Sequence, residues 1–228
     1  MLKAGICLGV VALASASAFG QADLGAGELG LDVILSDFNG SFIVDDKLFE
    51  IKVFDGVGID ASQITLAAVD FGLAGVGFDM LGQFVDLPGD ANATGFTFEY
   101  CVTVLNPDLR IVDAHLLFNG LATGPGSFTD VNETIVDPLT TNMVDELTVF
   151  SLGTTGASQF EDIWEADPYT FENGFERLEI IKDFELFANG TGGTAGASFI
   201  RQTFSQIPTP GGVMLAGVAG LAVVRRRR

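Results

Sequence analysis

One histidine, two cysteines and 30 carboxylates bound the chemistry open to this chain. His115 stands alone, so neither a histidine pair nor a His-rich metal centre can be assembled. A Ser-His-Asp triad would need His115 as its base, and no Gly-x-Ser-x-Gly turn accompanies it. His115 with Cys101 would make a nucleophile pair, yet Ala114 and Leu116 beside it describe a strand histidine with an ordinary hydrogen-bond partner. Carboxylates offer more. Glu161, Asp162, Glu165 and Asp167 surround Trp164, the sole tryptophan. An indole stacks on a sugar ring, and two carboxyls suit glycoside hydrolysis. Trp164, Glu161, Glu165 and Asp167 are therefore the candidate sugar contacts, although a tryptophan in this setting also marks a packed loop or core edge. Asp45-Asp46 and the stretch from Asp86 to Asn92 place oxygen ligands in turns, but neither matches an EF-hand loop. The expectation is a non-enzymatic chain with no catalytic residue and no cofactor, calcium being the one ion such turns would suit.

The elements that must carry these residues read as strands. Along residues 95–105, Phe96, Phe98, Tyr100, Val102 and Val104 share one face while Thr97, Glu99 and Thr103 share the other, the period-2 pattern of a half-buried strand. Asn106-Pro107-Asp108 makes a turn, residues 109–118 form a second run, and Asn119-Gly120 closes it. The pair predicts a central hairpin. Further runs at residues 47–54, 64–71, 132–136, 146–152, 176–187 and 198–205 are separated by Gly-, Asn- and Asp-rich segments. Residues 157–165 are expected to form a short helical turn. Many strands with regular turn punctuation predict an all-β, antiparallel, jelly-roll-like sandwich, with 20 phenylalanines to fill its core.

Both ends carry signals. Lys3, an apolar stretch at residues 4–14 and Ala16-Ser17-Ala18 form the three parts of a secretory signal peptide. All acidic residues lie between Asp23 and Glu185, against Lys47, Lys52, Arg110, Arg177, Lys182 and Arg201 in the same body. The exported part is thus more acidic than the whole-chain net charge of −19. Such a surface repels nucleic acid and anionic lipid. Loss of the signal peptide would take Cys7 with it, so Cys101 is expected as a buried, inert thiol without an intramolecular disulfide. The Asn-x-Thr triplets at Asn92, Asn132 and Asn189 are read as turn and strand-edge residues.

The other end has Pro208-Thr209-Pro210, an apolar segment at residues 211–224 and Arg225, Arg226, Arg227 and Arg228. Fourteen helical residues would span roughly 21 Å, short of the ~30 Å hydrocarbon core. Snorkelling arginines bring the segment nearer to spanning and set that end in the cytoplasm. This arrangement resembles a PEP-CTERM sorting signal, with Thr209 where that family usually has glutamate. The resemblance is confined to the tail. It implies export by a bacterium, often an exopolysaccharide producer, and recognition of Pro208, Thr209, Pro210 and the four arginines by an exosortase-like membrane enzyme.

The expected organisation is a signal peptide at 1–22, a β-sandwich extracellular domain at 23–206 and a sorting or anchor segment at 207–228 with a transmembrane helix. The expected function is that of a surface or matrix protein, held first in the membrane through residues 211–224 and then at the cell surface or in the matrix. Exopolysaccharide is its expected partner there. The alternative is a carbohydrate-binding or carbohydrate-active domain using Trp164.

Overall fold

The computed structural model describes residues 22–23, 33–35, 40–72, 75–89, 92–166, 174–190 and 192–208. Residues 1–21 of the expected signal peptide, Asp167, Thr209, Pro210, the apolar segment and the arginine cluster lie outside these. Among the described residues no helix is long and apolar enough to cross a membrane.

In chain order the strands are β1 (Ala22–Asp23), β2 (Val33–Ile34), β3 (Ser41–Val44), β4 (Lys47–Val57), β5 (Thr65–Asp70) and β6 (Val76–Asp86). There follow β7 (Thr94–Val104), β8 (Leu109–Ile111), β9 (Asp113–Phe118), β10 (Leu121–Thr123), β11 (Phe128–Asp137) and β12 (Asn142–Leu152). The last are β13 (Ser158–Gln159), β14 (Glu161–Glu165), β15 (Arg177–Phe187), β16 (Thr194–Phe204) and β17 (Gln206–Pro208). The described residues are 70% strand and 3% helix, an all-β fold.

An eight-stranded sheet has the order β1-β3-β4-β7-β15-β11-β12-β13, and a second sheet the order β14-β9-β16-β6-β5-β2 with β10 also paired to β16. Their pairings are antiparallel except for β1 with β3. The small pair β17-β8 stands apart from both.

Alternation assembles the core. Phe96, Phe98, Tyr100, Val102 and Val104 of β7 are all buried, as their spacing predicts. Phe78 of β6 supplies the opposite wall: its ring lies 5.4 Å from Phe42, 5.2 Å from Phe49 and 5.4 Å from Tyr100, all near-perpendicular or tilted. Edge-to-face packing of this kind is favoured by the ring quadrupole. Phe84 of β6 meets Phe96 and Phe184 in the same way. Aromatic rings from the two sheets thus interdigitate in one core, consistent with a β-sandwich.

Two local expectations are corrected. Residues 95–105 and 109–118 do not form a hairpin: β7 pairs with β4 and β15, whereas β9 pairs with β14 and β16 in the other sheet. The turn at Asn106 to Asp108 carries the chain across the core instead of back along the same sheet. Residues 157–165 are not helical; they form β13 and β14. Edge pairing of β14 to β9, from Glu161 opposite Leu117 to Glu165 opposite Asp113, overrides the weak local helical pattern. The 11-residue β6 was not legible as a strand, because Gly77 and Gly82 interrupt its alternation.

Gly77 has a steric reason. A Cβ there would run into the carbonyl oxygen of Gln202 on β16. Gly77→Ala is expected to lower unfolding stability by about 1–3 kcal/mol, the usual range for overpacking. Gly89, whose Cβ would meet nothing within 4 Å, is the control: in urea melts Gly89→Ala should stay within about 0.5 kcal/mol of the parent.

Candidate functional site

The sugar-contact residues fall at the edge of the second sheet. Trp164 turns inward on β14 and is only 7% exposed. Its ring packs on Phe175 at 5.8 Å. Glu161 and Glu165 point outward on the same strand and are exposed. Glu161 is directed at His115, whose Nδ1 is 4.0 Å from its Oε1, while His115 Nε2 is 3.6 Å from Asp113 Oδ1. Asp162 caps the neighbouring edge by accepting from the Thr148 amide at 2.8 Å. Beside Trp164 a groove of about 410 Å³ is lined by Asp137, Asn142, Met143, Glu165 and Phe175. The structure brings Trp164 and Glu165 to this groove and sends Glu161 to the histidine.

Cys101 and His115 lie in different sheets, so they form no nucleophile pair. Cys101 is fully buried and disulfide-bonded, which corrects its reading as a thiol; the sequence's other cysteine, Cys7, lies outside the described residues. Among the described residues no group of three or more His, Cys, Asp or Glu side chains is arranged to hold a metal. Asp46 instead accepts from Lys47, and Asp86 accepts from the Ala188 amide at 2.6 Å.

The polar arrangement that pattern reading missed lies inside the core. Lys182 of β15 and Glu133 of β11 are directly opposed across the strands, both face inward, and both side chains have zero exposure. Lys182 Nζ donates to Glu133 Oε2 and, at 2.8 Å, to Oε1 of Gln202, which reaches in from β16 of the other sheet. Glu133 Oε1, Gln202 Nε2 and the Tyr100 hydroxyl have no hydrogen-bond partner. Burial pushes the Lys182 ammonium below the ordinary lysine range and the Glu133 carboxyl above the ordinary glutamate range, while each partner's charge opposes the shift. Burial, reinforced by the Glu133 charge, also drives the Tyr100 hydroxyl well above its usual range.

A related trio closes one end of the core. Lys47 Nζ donates to Gln206 Oε1 at 2.9 Å and lies 3.2 Å from Asp46 Oδ1, which also accepts from Gln206 Nε2 at 3.2 Å. One signal for these lysines was available in the sequence: each occupies an inward position of a strand whose other inward residues are apolar.

The outer face of the large sheet is crowded with carboxylates. Glu179 of β15 is 8% exposed. Burial raises its carboxyl from 4.5 to about 7, with Glu99 adding a hydrogen bond and like-charge repulsion. Asp130 of β11 is raised from 3.8 to about 6, first by burial, with Glu185 and Asp183 adding to it. A hollow of about 500 Å³ beside Asp55, Thr97, Asp183 and Glu185 occupies part of this face.

No protein-family model matches the chain, and no curated protein matches it. Among solved structures it is similar to a chain of the Glycosylation Associate Protein complex from Streptococcus agalactiae, at 12% identity and a TM-score of 0.29. The match covers 71% of this chain and 26% of that one, so the chain spans about a quarter of that protein's length.

Glu179 and Asp130 hold their protons to higher pH folded than unfolded. Their folded states therefore bind more protons between the ordinary and the raised pKa, and stability falls as pH rises through that window. Urea midpoints are expected to decline from about pH 5 toward pH 8, and Glu179→Gln should flatten the upper part of that decline. An unchanged slope in the variant would show that Glu179 does not supply it.

Proposed function

We propose that this chain is an exported bacterial surface or matrix protein, non-enzymatic, with a jelly-roll-like body delivered through its C-terminal segment by an exosortase-like enzyme. One observation carries the reading: Pro208-Thr209-Pro210, an apolar segment and four arginines follow an acidic all-β body with almost no connecting chain. β17 ends at Pro208, the first of the sorting residues. Before processing, the body then stands next to the outer leaflet. The acidic surface is repelled by anionic headgroups, so attachment before processing rests on the tail alone. Four of the 11 basic residues sit in the arginine cluster and would leave with it on cleavage.

The second reading is a carbohydrate-binding or carbohydrate-active domain, favoured by the groove beside Trp164. Glu165, Asp137 and Asn142 provide polar groups at its wall, and the indole edge provides an apolar contact. Sugar recognition there would be orientation by hydrogen bonds with limited ring stacking, because Trp164 is mostly covered by the core.

In an exosortase-bearing host, the full chain is expected first in the membrane fraction and later at the surface without Arg228, as read by terminal peptide mass spectrometry. Arg225–Arg228 replaced by alanine should accumulate unprocessed. Mature surface protein that retains Arg228 would overturn the processing step. Glycan-array binding that is lost in Trp164→Ala would move the assignment to the sugar reading.

A further inference from the structure

The buried trio Lys182, Gln202 and Glu133 presents an amine, a carboxamide and a carboxyl group in one water-free pocket. The surroundings are apolar on every side that the strand register defines. Phe98 opposes Lys182 on β7 and Leu147 opposes Glu133 on β12, while Phe78 and Leu116 flank Gln202 on β6 and β9. All four are at most 2% exposed. The amine donates to the amide oxygen at 2.8 Å, which holds it beside the carbonyl carbon, as reaction within a bound pair requires. The remaining carboxyl oxygen and the amide nitrogen are both unpartnered.

We propose that Lys182 Nζ attacks the side-chain carbonyl carbon of Gln202, with Glu133 carrying the proton, and closes an intramolecular isopeptide bond between the two sheets with release of ammonia. The amine lone pair forms the new N–C bond as the carbonyl electrons move to Oε1. Glu133 gives its carboxyl proton to Nε2 and recovers one from Nζ. The C–Nε2 bond then breaks as the carbonyl re-forms, and ammonia departs. Atoms and charge balance without an oxidant or cofactor. An apolar pocket favours each step, since a desolvated lysine is an uncharged nucleophile and a desolvated carboxyl carries a transferable proton. The shifts of Lys182 downward and Glu133 upward follow the same direction. The product also removes the buried ammonium and the unpartnered amide nitrogen of Gln202, two groups that otherwise burden the core.

The Lys47, Gln206 and Asp46 trio has the same functional groups but a different setting. Its carboxylate side chain is 18% exposed and already accepts from both partners. With its carboxylate already accepting from both the amine and the amide, this trio stays hydrogen-bonded.

Peptide mapping of the full-length protein, purified folded and then denatured and digested with trypsin, tests the proposal. Cleavage after Lys182 is expected to fail. The peptide ending at Arg201 and the one starting at Gln202 should appear as a single species, lighter than their sum by one ammonia. Glu133→Gln retains the lysine and the amide, and it is expected to give the two separate peptides. Ordinary cleavage after Lys182 with a free peptide starting at Gln202 in the parent protein overturns the proposal, whatever the variant does. A species lighter by water that joins Lys182 to Glu133 also overturns it, because Glu133 is then the electrophile.

Discussion

A lysine and a glutamate buried between two sheets are tolerated only while each stays within reach of the other, because desolvation costs several kcal/mol per ion. Lys182 and Glu133 meet that condition through strand register alone. A slip of one residue in β11 would turn Glu133 to the outer face and bury Asn132 or Thr134, and one in β15 would turn Lys182 out and bury Asp183 or Ile181. Gln202 adds the same constraint across the core: its oxygen accepts from Lys182, so β16 must stack over β15 at one height. The ionic centre thus couples the in-plane register of one sheet to the position of the other. Apolar contacts alone specify such relations less sharply, since rings can slide past one another at little cost.

Around that centre the aromatic residues divide the work by face. Phe42, Phe49, Phe98 and Tyr100 come from the large sheet and Phe78 from the second, and their edge-to-face contacts bind the sheets together. The outer face of the large sheet is built on the opposite principle. Glu50 binds Arg177 at 2.8 Å, but burial, with Glu99 beside it, raises the Glu179 carboxyl to about 7 against the pull of Lys52 and Arg177. Acidity that keeps an exported protein apart from membranes and nucleic acid has a local cost where strands force carboxylates together.

The interior chemistry and the proposed location fit one another. Cys101 is disulfide-bonded, and such a link yields to a reductant. A lysine–glutamine bond would tie the sheets by a link that reduction does not break. It would join strands close in sequence, β15 and β16, and yet in different sheets.

Period-2 alternation made most of the long strands legible, because burying one face of a strand imposes its own spacing on the chain. Residues 47–54, 64–71, 176–187 and 198–205 fall within or nearly match β4, β5, β15 and β16 for that reason. Two glycines hid β6, and edge pairing overrode the local preference of β14, since both depend on neighbours distant in sequence. Which of Glu161 and Glu165 shares a groove with Trp164 was not legible, because that depends on how the sheet edge folds over. Nor was the ionic centre. Lys182, Glu133 and Gln202 are separated by 49 and 20 residues from one another along the chain. The sequence by itself determined most of the long strands and their inward faces, which follow from local periodicity. Only the tertiary structure decided which strands share a sheet and which inward polar groups meet, because loop closure and register act between segments that carry no record of one another.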